Sequence, residues 1–415
     1  VYAAHAPGTQ LRTGRGVKRS PLHEKMIAQG AWFKDVSGWE SPDWYAGLGQ
    51  TPTAAPSWDR QAWFEHWRAE HEAVRTGVGL IDMSFMAKFL VEGPDAAAVL
   101  DRISAAAVAG QVGRITYTQW LNELGGIEAD LTVTRLAEER FLVVASDAAH
   151  GHTLAWLGRH TVGADVRVSD VTAAYAQVNV QGPRSREVLQ ATSESDFSPE
   201  AFAFRDARWV DIGCAPVLAV RITYVGELGW ELYVPVEHAG HVYDTLVEAG
   251  GPMGLRHVGL KALGSLRLEK AYRDYGHDID NTDDLASVGL GFGVAKDKPV
   301  DWIGRGPTLA ALAALAARPP SRRLVQVLLL DPEPQLHHAE ILLRDGVPVG
   351  DVRSGSYGWT LGGAVGLAMV SGEGLPVTAD WLAAGAWEVD IAGHRYAARV
   401  SLRPLYDPTS ARVQS

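Results

Sequence analysis

The stretch Tyr117-Thr-Gln-Trp-Leu-Asn122-Glu-Leu-Gly125-Gly126-Ile-Glu128-Ala-Asp130-Leu-Thr-Val carries the turn on which the reading of this chain rests. Two adjacent glycines between an Asn and a β-rich run make a tight turn. The strand that leaves it can hold its carboxylates at the turn's edge instead of in open solvent. Side chains alternate across a strand, so Glu128 and Asp130 share one face. Spacing alone assigns them no role, because a carboxylate after a hairpin is commonly just a solvated strand end.

A second constellation lies further on, in Tyr224-Val-Gly226-Glu227-Leu-Gly229-Trp230-Glu231-Leu-Tyr-Val-Pro235. It reads as a strand-end Tyr and two carboxylates around a Gly-rich bend, which leaves backbone accessible to a flat ligand. The alternative is a turn joining two core strands.

Outward from these motifs, residues 80–235 alternate short β-rich runs (88–91, 131–134, 141–145, 176–180 and 217–224) with helical patterns at 95–102 and 184–191. That mixture indicates α+β sheets with packed helices. Further helices are expected near 238–250, over 260–272 and over the Ala/Leu run 309–317, which Arg318, Pro319 and Pro320 close. Residues 321–405 read almost entirely as strands separated by Asp345-Gly346, Ser354-Gly355 and Gly362-Gly363, and favour a small β-barrel or sandwich at the C-terminus. Residues 1–60, rich in Gly, Pro and Trp, read as an extended arm anchored by Trp32, Trp39, Trp44 and Trp58. From residue 58 to 76 the pattern is helical, with Trp63, Trp67 and Val74 on one face. The division expected is therefore 1–60, 61–320 (two subdomains) and 321–415.

The 415 residues, 47% of them hydrophobic, can bury several cores. A net charge of −11 spread along the chain offers no basic stripe for nucleic acid or an anionic membrane. No 18-residue apolar run or signal-peptide core is present, and the single cysteine, Cys214, reads as a small buried residue in a reducing, cytoplasmic setting. The chain starts at Val1 and not at a Met, so residues are expected to precede it.

Other patterns carry less. The series Gly289-Leu-Gly291-Phe-Gly293 lacks the strand–turn–helix setting of a dinucleotide site and reads as close packing. His337 and His338, like His150 and His152, lack a third partner at metal-ligand spacing and read as solvent-facing.

Taken together, the two constellations resemble the T-protein of the glycine cleavage system. The resemblance covers roughly residues 75–410 and includes Asp82-Met-Ser-Phe-Met86-Ala-Lys88, Gln181-Gly182-Pro183, Ser265-Leu-Arg267-Leu-Glu269-Lys270 and Arg353-Ser-Gly355-Ser-Tyr357-Gly358. It is closer still to the folate-binding half of dimethylglycine and sarcosine dehydrogenases. There Gly16-Val-Lys-Arg-Ser20-Pro21-Leu22-His23, Gly38-Trp39-Glu40-Ser-Pro42 and Leu405-Tyr406-Asp407-Pro408 also have counterparts.

The resemblance implies a multi-domain folate-binding fold and tetrahydrofolate, in its free, 5,10-methylene or 5-methyl form, as cofactor. It implies that Asp130 is the acid beside the folate nitrogens, that Tyr224 and Glu231 hold the pterin, and that Met86 supplies apolar contact. Asn122 and Arg353 are further cofactor-binding candidates. A carboxylate can pair with adjacent pterin N–H donors, and Asp130 with Tyr224 could move protons during transfer. Leu263 stands where the T-protein has an arginine, which argues against a plain glycine-cleavage component.

The expected activity is tetrahydrofolate-dependent one-carbon transfer or demethylation on a small methylated amine, ether or thioether. Two other readings are a folate-binding part of a flavin-dependent dehydrogenase, with a flavoprotein partner or preceding flavin domain, and a folate-binding regulatory protein without activity.

Overall fold

The structure, a computed structural model, describes residues 9, 10, 12–55, 57, 60–315 and 317–415; the expected anchor Trp58, the first eight residues and Ala316 lie outside the described residues. The chain forms two compact units, one from residues up to Met86 with Thr172–Leu266 and Thr409–Ser415, the other from Ala87–Val171 and Arg267–Pro408. The expected division follows chain order, and the units do not. Hydrophobic periodicity reports where elements lie and is silent on which distant strands pair.

In the first unit a six-stranded sheet runs in the order Ala207–Ile212, Ala215–Val220, Gly229–Pro235, Tyr175–Gln181, Gly79–Asp82, Arg256–His257. All neighbours are antiparallel except the last pair. Ala176, Val178 and Val180 join Trp230, Leu232 and Val234 in the core with Val188, Leu189, Val242 and Leu246 from the helices Ser185–Thr192 and Ala239–Gly250. The alternation puts Gln177, Asn179, Gln181, Glu231 and Tyr233 on the opposite face.

The segment expected as an extended arm contains the helix His23–Ala28 and a three-stranded sheet with Trp39–Tyr45 at its centre. Trp32 and Trp44 are directly paired across two of its strands with stacked rings 6.5 Å apart, the kind of cross-strand aromatic pair that stabilises a small sheet. Glu70, fully buried on the helix Phe64–Thr76, accepts the backbone N–H of Tyr45 at 2.6 Å and of Gly259 at 2.8 Å. That one carboxylate ties the small sheet to the helix and to the chain ahead of the helix Leu260–Glu269.

Two local readings change. The 217–224 run leaves the ladder at Val220, because the Thr223 hydroxyl accepts the N–H groups of Val225 and Gly226, and Arg75 takes the Val225 carbonyl at 2.7 Å. Local side-chain bonds of this kind compete with strand pairing. Cys214 is exposed, not buried, in the turn between Ala207–Ile212 and Ala215–Val220.

The second unit holds a five-stranded antiparallel sheet in the order Arg114–Leu121, Ile127–Ala137, Arg140–Ala145, Ala87–Glu92, Arg167–Asp170. The helices Ala96–Ile103 and His150–His160 pack on one face through Leu100, Ile103, Trp156 and Leu157. Six further strands close a barrel in the order Arg322–Leu329, Gly363–Ser371, Val347–Gly358, Ile341–Arg344, Trp387–Ile391, His394–Ser401. The fold is thus α+β with a C-terminal barrel. Asp345 and Gly346, at φ 54° and 78°, make the two-residue hairpin expected of that dipeptide. Ser354-Gly355 is not a turn. It lies within Val347–Gly358, beside a bulge where Arg353 is the extra residue between paired Val352 and Ser354. Among the described residues no helix is long and apolar enough to cross a membrane.

Replacing Glu70 with Ala leaves two buried N–H groups without an acceptor. The expected loss is roughly 3 kcal/mol in urea unfolding, with faster amide exchange at Tyr45 and Gly259 than at the strand Tyr175–Gln181.

Candidate functional site

The hairpin around Asp130 is built by its turn. Asn122 N–H bonds the Gly126 carbonyl at 2.9 Å, Gly125 N–H bonds the Asn122 carbonyl at 3.0 Å, and Asn122 Oδ1 accepts the N–H groups of Leu124 and Gly126 at 3.0 Å each. Gly125 sits at φ 86°, and a Cβ on Gly126 would lie 2.5 Å from the Asn281 carbonyl, so neither glycine is replaceable without strain. Leu121 pairs with Ile127 and Trp120 with Ala129, which leaves Glu128 as the extra residue of a bulge. Beyond it the register places Gln119 opposite Asp130 and Tyr117 opposite Thr132.

Gln119, fully buried, donates Nε2–H to Asp130 Oδ1 at 2.8 Å, and Tyr117 also hydrogen-bonds Asp130. Burial pushes the Asp130 carboxyl up to about 6, outweighing those two bonds and the Arg273 charge, which favour ionisation; Asp274 pushes in the same direction as burial. The result is a half-buried acid that changes protonation near neutral pH. Glu128 is held differently, by Asn122 Nδ2 at 2.9 Å and by His152 Nε2 at 3.0 Å. His152 thus has a carboxylate partner, and His150 has Asp170 at 2.7 Å.

Glu231 stands on the polar face of the first unit's sheet, directly between Asn179 and Val220. Its Oε2 accepts the Tyr233 hydroxyl at 2.7 Å, and Asn179 Nδ2 lies 3.5 Å from Oε1. The same face carries buried acceptors with no partner: Gln177 Oε1, Asn179 Oδ1 and Gln181 Oε1. Native interiors rarely leave such atoms unsatisfied. A carboxylate beside orphaned amide oxygens is a donor-seeking surface, which suits the N–H-rich edge of a pterin. Tyr224 is half-buried in the 221–228 loop, not at a strand end, and Met86 is half-buried just beyond the strand Gly79–Asp82.

Two of the expected cofactor ligands are engaged otherwise. Arg353 places Nη1 2.5 Å from Asp283 Oδ2 and bonds the Asp278 carbonyl at 2.6 Å. The bulge aims its guanidinium at fully buried Asp283, which Arg322 also approaches at 3.2 Å. Asn122 is the internal cap of the hairpin turn. Of the candidates, then, Met86, Tyr224 and Glu231 belong to the first unit and Asn122, Asp130 and Arg353 to the second. Gln119, Tyr117, Asn179 and Tyr233 had not been singled out. Tyr117 and Gln119 form a period-two pair entering the Gly-Gly turn, but counting back across that turn pairs Asp130 with Thr118; the bulge at Glu128, which has no sequence signal, shifts its partner to Gln119.

The GCVT N-terminal domain matches residues 22–298 and the glycine cleavage T-protein C-terminal barrel domain matches residues 322–407. The chain belongs to the glycine cleavage T-protein family. It is 42% identical over 414 residues to 4-methylaminobutanoate oxidase (formaldehyde-forming) of Paenarthrobacter nicotinovorans, covering 100% of this chain and 49% of that protein. It is 32% identical to mitochondrial dimethylglycine dehydrogenase of Rattus norvegicus, over 98% of this chain and 47% of the relative. The chain spans about half the length of these relatives. The crystal structure of glycine cleavage system aminomethyltransferase T from Bartonella henselae superposes with a TM-score of 0.79 at 26% identity, covering 94% of this chain and 98% of that one. Leu263, where the T-protein resemblance would place an arginine, is buried.

A carboxyl raised in the folded state weakens folding above its unfolded value. The unfolded Asp ionises near pH 4 and the folded one near 6, so stability declines as pH rises between them and the penalty persists above. Asp130→Asn is therefore expected to unfold about 2 kcal/mol later than wild type at pH 7, with the gap closing towards pH 4 in parallel urea titrations.

Proposed function

We propose that this chain is a tetrahydrofolate-dependent one-carbon transferase that takes a methyl unit from a small methylated compound or a methylene unit from an iminium already formed from one. The observation that carries the reading is the half-buried Asp130, held by Gln119 and Tyr117 and poised near pH 6. Family membership supports the cofactor, and the unpartnered acceptors around Glu231 fit it.

Glu231 pairs with the pterin's N–H donors, with Asn179 beside it. Tyr224 offers its ring face, and Met86 gives apolar contact. Tetrahydrofolate, when bound, supplies the amine that takes up the carbon. Asp130 removes or holds the proton of that amine and, once ionised, stabilises positive charge that develops nearby. Gln119 and Tyr117 fix its orientation, so the acid does not have to be positioned at the moment of transfer. Asn122 acts indirectly, through the turn and Glu128. Arg353, committed to Asp283, has no part in the proposal.

A second reading has a specific observation in its favour: the chain matches just under half of the oxidase and the dehydrogenase. In that reading it is the folate-binding part of a flavin-dependent N-methyl amine dehydrogenase, and the carbon arrives from a flavoprotein partner or domain. The intact mass and the visible absorbance of the protein isolated from its native source separate the two.

Purified protein, tetrahydrofolate and a panel of methylated donors test the reading by mass spectrometry of the folate product. Asp130→Asn should lower transfer at least about a hundredfold while folate affinity changes little, the loss a general acid–base group accounts for. Glu231→Ala should weaken folate binding roughly tenfold or more in calorimetry, in line with a lost charge-assisted pair. Folate affinity unchanged by Glu231→Ala, or full transfer by Asp130→Asn, sinks the respective assignment.

A further inference from the structure

The series 289–293 forms a single 3-10 turn, Gly291–Gly293, whose sequence reading was close packing. The packing is there: a Cβ on Gly291 would lie 2.4 Å from Leu312 Cδ2. It has a consequence for the next residue. With Gly291 pressed inward, Phe292 is turned out and is 77% exposed. Its ring stacks on Tyr117, with centroids 6.4 Å apart and planes inclined by 24°, and Tyr117 is the residue that hydrogen-bonds Asp130. The stacked pair leaves the outer face of the Phe292 ring open to solvent.

The surroundings on this unit are anionic. Burial and the charges of Glu128, Asp280 and Asp130 together hold the proton on Tyr275, and Asp274 acts on Asp130. Arg273 opposes them, with its guanidinium donating to the carbonyls of Val288 and Ala271. Gln119 adds an independent feature. Its Nε2–H faces the Asp130 carboxylate, which fixes the amide orientation, and its Oε1 is buried with no partner. A carboxylate, an unpaired amide oxygen and two aromatic faces have one property in common: each is attracted to positive charge, the rings through their quadrupoles.

We propose that Phe292, together with Tyr117, selects the one-carbon donor as a cation, a protonated N-methyl amine or an iminium, over neutral methyl ethers and thioethers of the same shape. The inference rests on the reading of Asp130 as the transfer site and narrows it to one donor class. A protonated amine lays its methyl groups on the exposed Phe292 face, with the Asp130 carboxylate as the counter-charge of this site. An iminium keeps the ring contact and the Asp130 attraction. Phe292 is a specificity-determining residue in this scheme and moves no proton.

The test measures binding, without turnover. Ligand-observed NMR titrations compare trimethylammonium with its neutral isostere tert-butanol on wild type, Phe292→Leu and Phe292→Trp. Wild type is expected to prefer the cation by about tenfold, and Phe292→Leu, which keeps an apolar side chain without a π face, to lose most of that preference while Phe292→Trp retains it. Equal binding of the two probes by wild type, or a preference untouched by Phe292→Leu, overturns the proposal. Its failure is distinguishable from failure of the transfer reading: cation preference can be lost while Asp130→Asn still abolishes transfer, and it can survive in a protein whose Asp130→Asn variant transfers normally.

Discussion

The bond from Gln119 Nε2 to Asp130 Oδ1 exists because the hairpin is in one register, and that register is set at the turn. Asn122 spends its side-chain oxygen on two backbone N–H groups, Gly125 takes a left-handed conformation, and Gly126 passes close to the Asn281 carbonyl. A slip of one residue would turn Asp130 into the core and bring Ala129, Leu131 and Val133 out onto the face it now occupies. The bulge at Glu128 lets the strand turn in without disturbing the pairing beyond it. Tyr117, Gln119 and Asp130 share a face as a result, and Phe292 has a ring to stack on.

Both sheets follow one physical plan. One face of each is apolar and covered by helices, and the other keeps buried polar atoms that the fold does not satisfy. In the first unit these are the amide oxygens flanking Glu231; in the second they are Gln119 Oε1 and a carboxyl lifted towards neutrality. Unsatisfied acceptors cost stability, and stable proteins tolerate few of them. Some buried charges elsewhere are fully engaged: Lys298 donates to three backbone carbonyls, and Asp283 sits between Arg353 and Arg322.

Much of this was legible in the sequence. Strand and helix positions followed from periodicity, the barrel from its dipeptide turns, and the family from ordered motifs. What could not be read depended on distant partners. Nothing local to residues 217–224 reveals that Arg75 will take the Val225 carbonyl and end the strand. Ser354-Gly355 looks like a turn, yet Gly355 is small because the chain at Leu336 and His337 crosses it at 2.4–2.6 Å from where a Cβ would lie. Arg353 matched a family motif and still points at Asp283, because a bulge redirects a side chain without altering the motif around it. Phe292 was hidden inside a glycine series whose packing role was correctly read but whose outward residue had no sequence signal.

In the proposed reaction Asp130 loses its proton before a carbon moves to folate. The most direct measurement is the pH dependence of a single-turnover transfer with saturating tetrahydrofolate and a fixed donor. The rate is expected to rise with pH through a midpoint near 6, the value to which burial lifts this carboxyl, and the residual rate of Asp130→Asn to lack that limb. A wild-type rate independent of pH between about 5 and 8, or a limb near 6 that persists in Asp130→Asn, would contradict it.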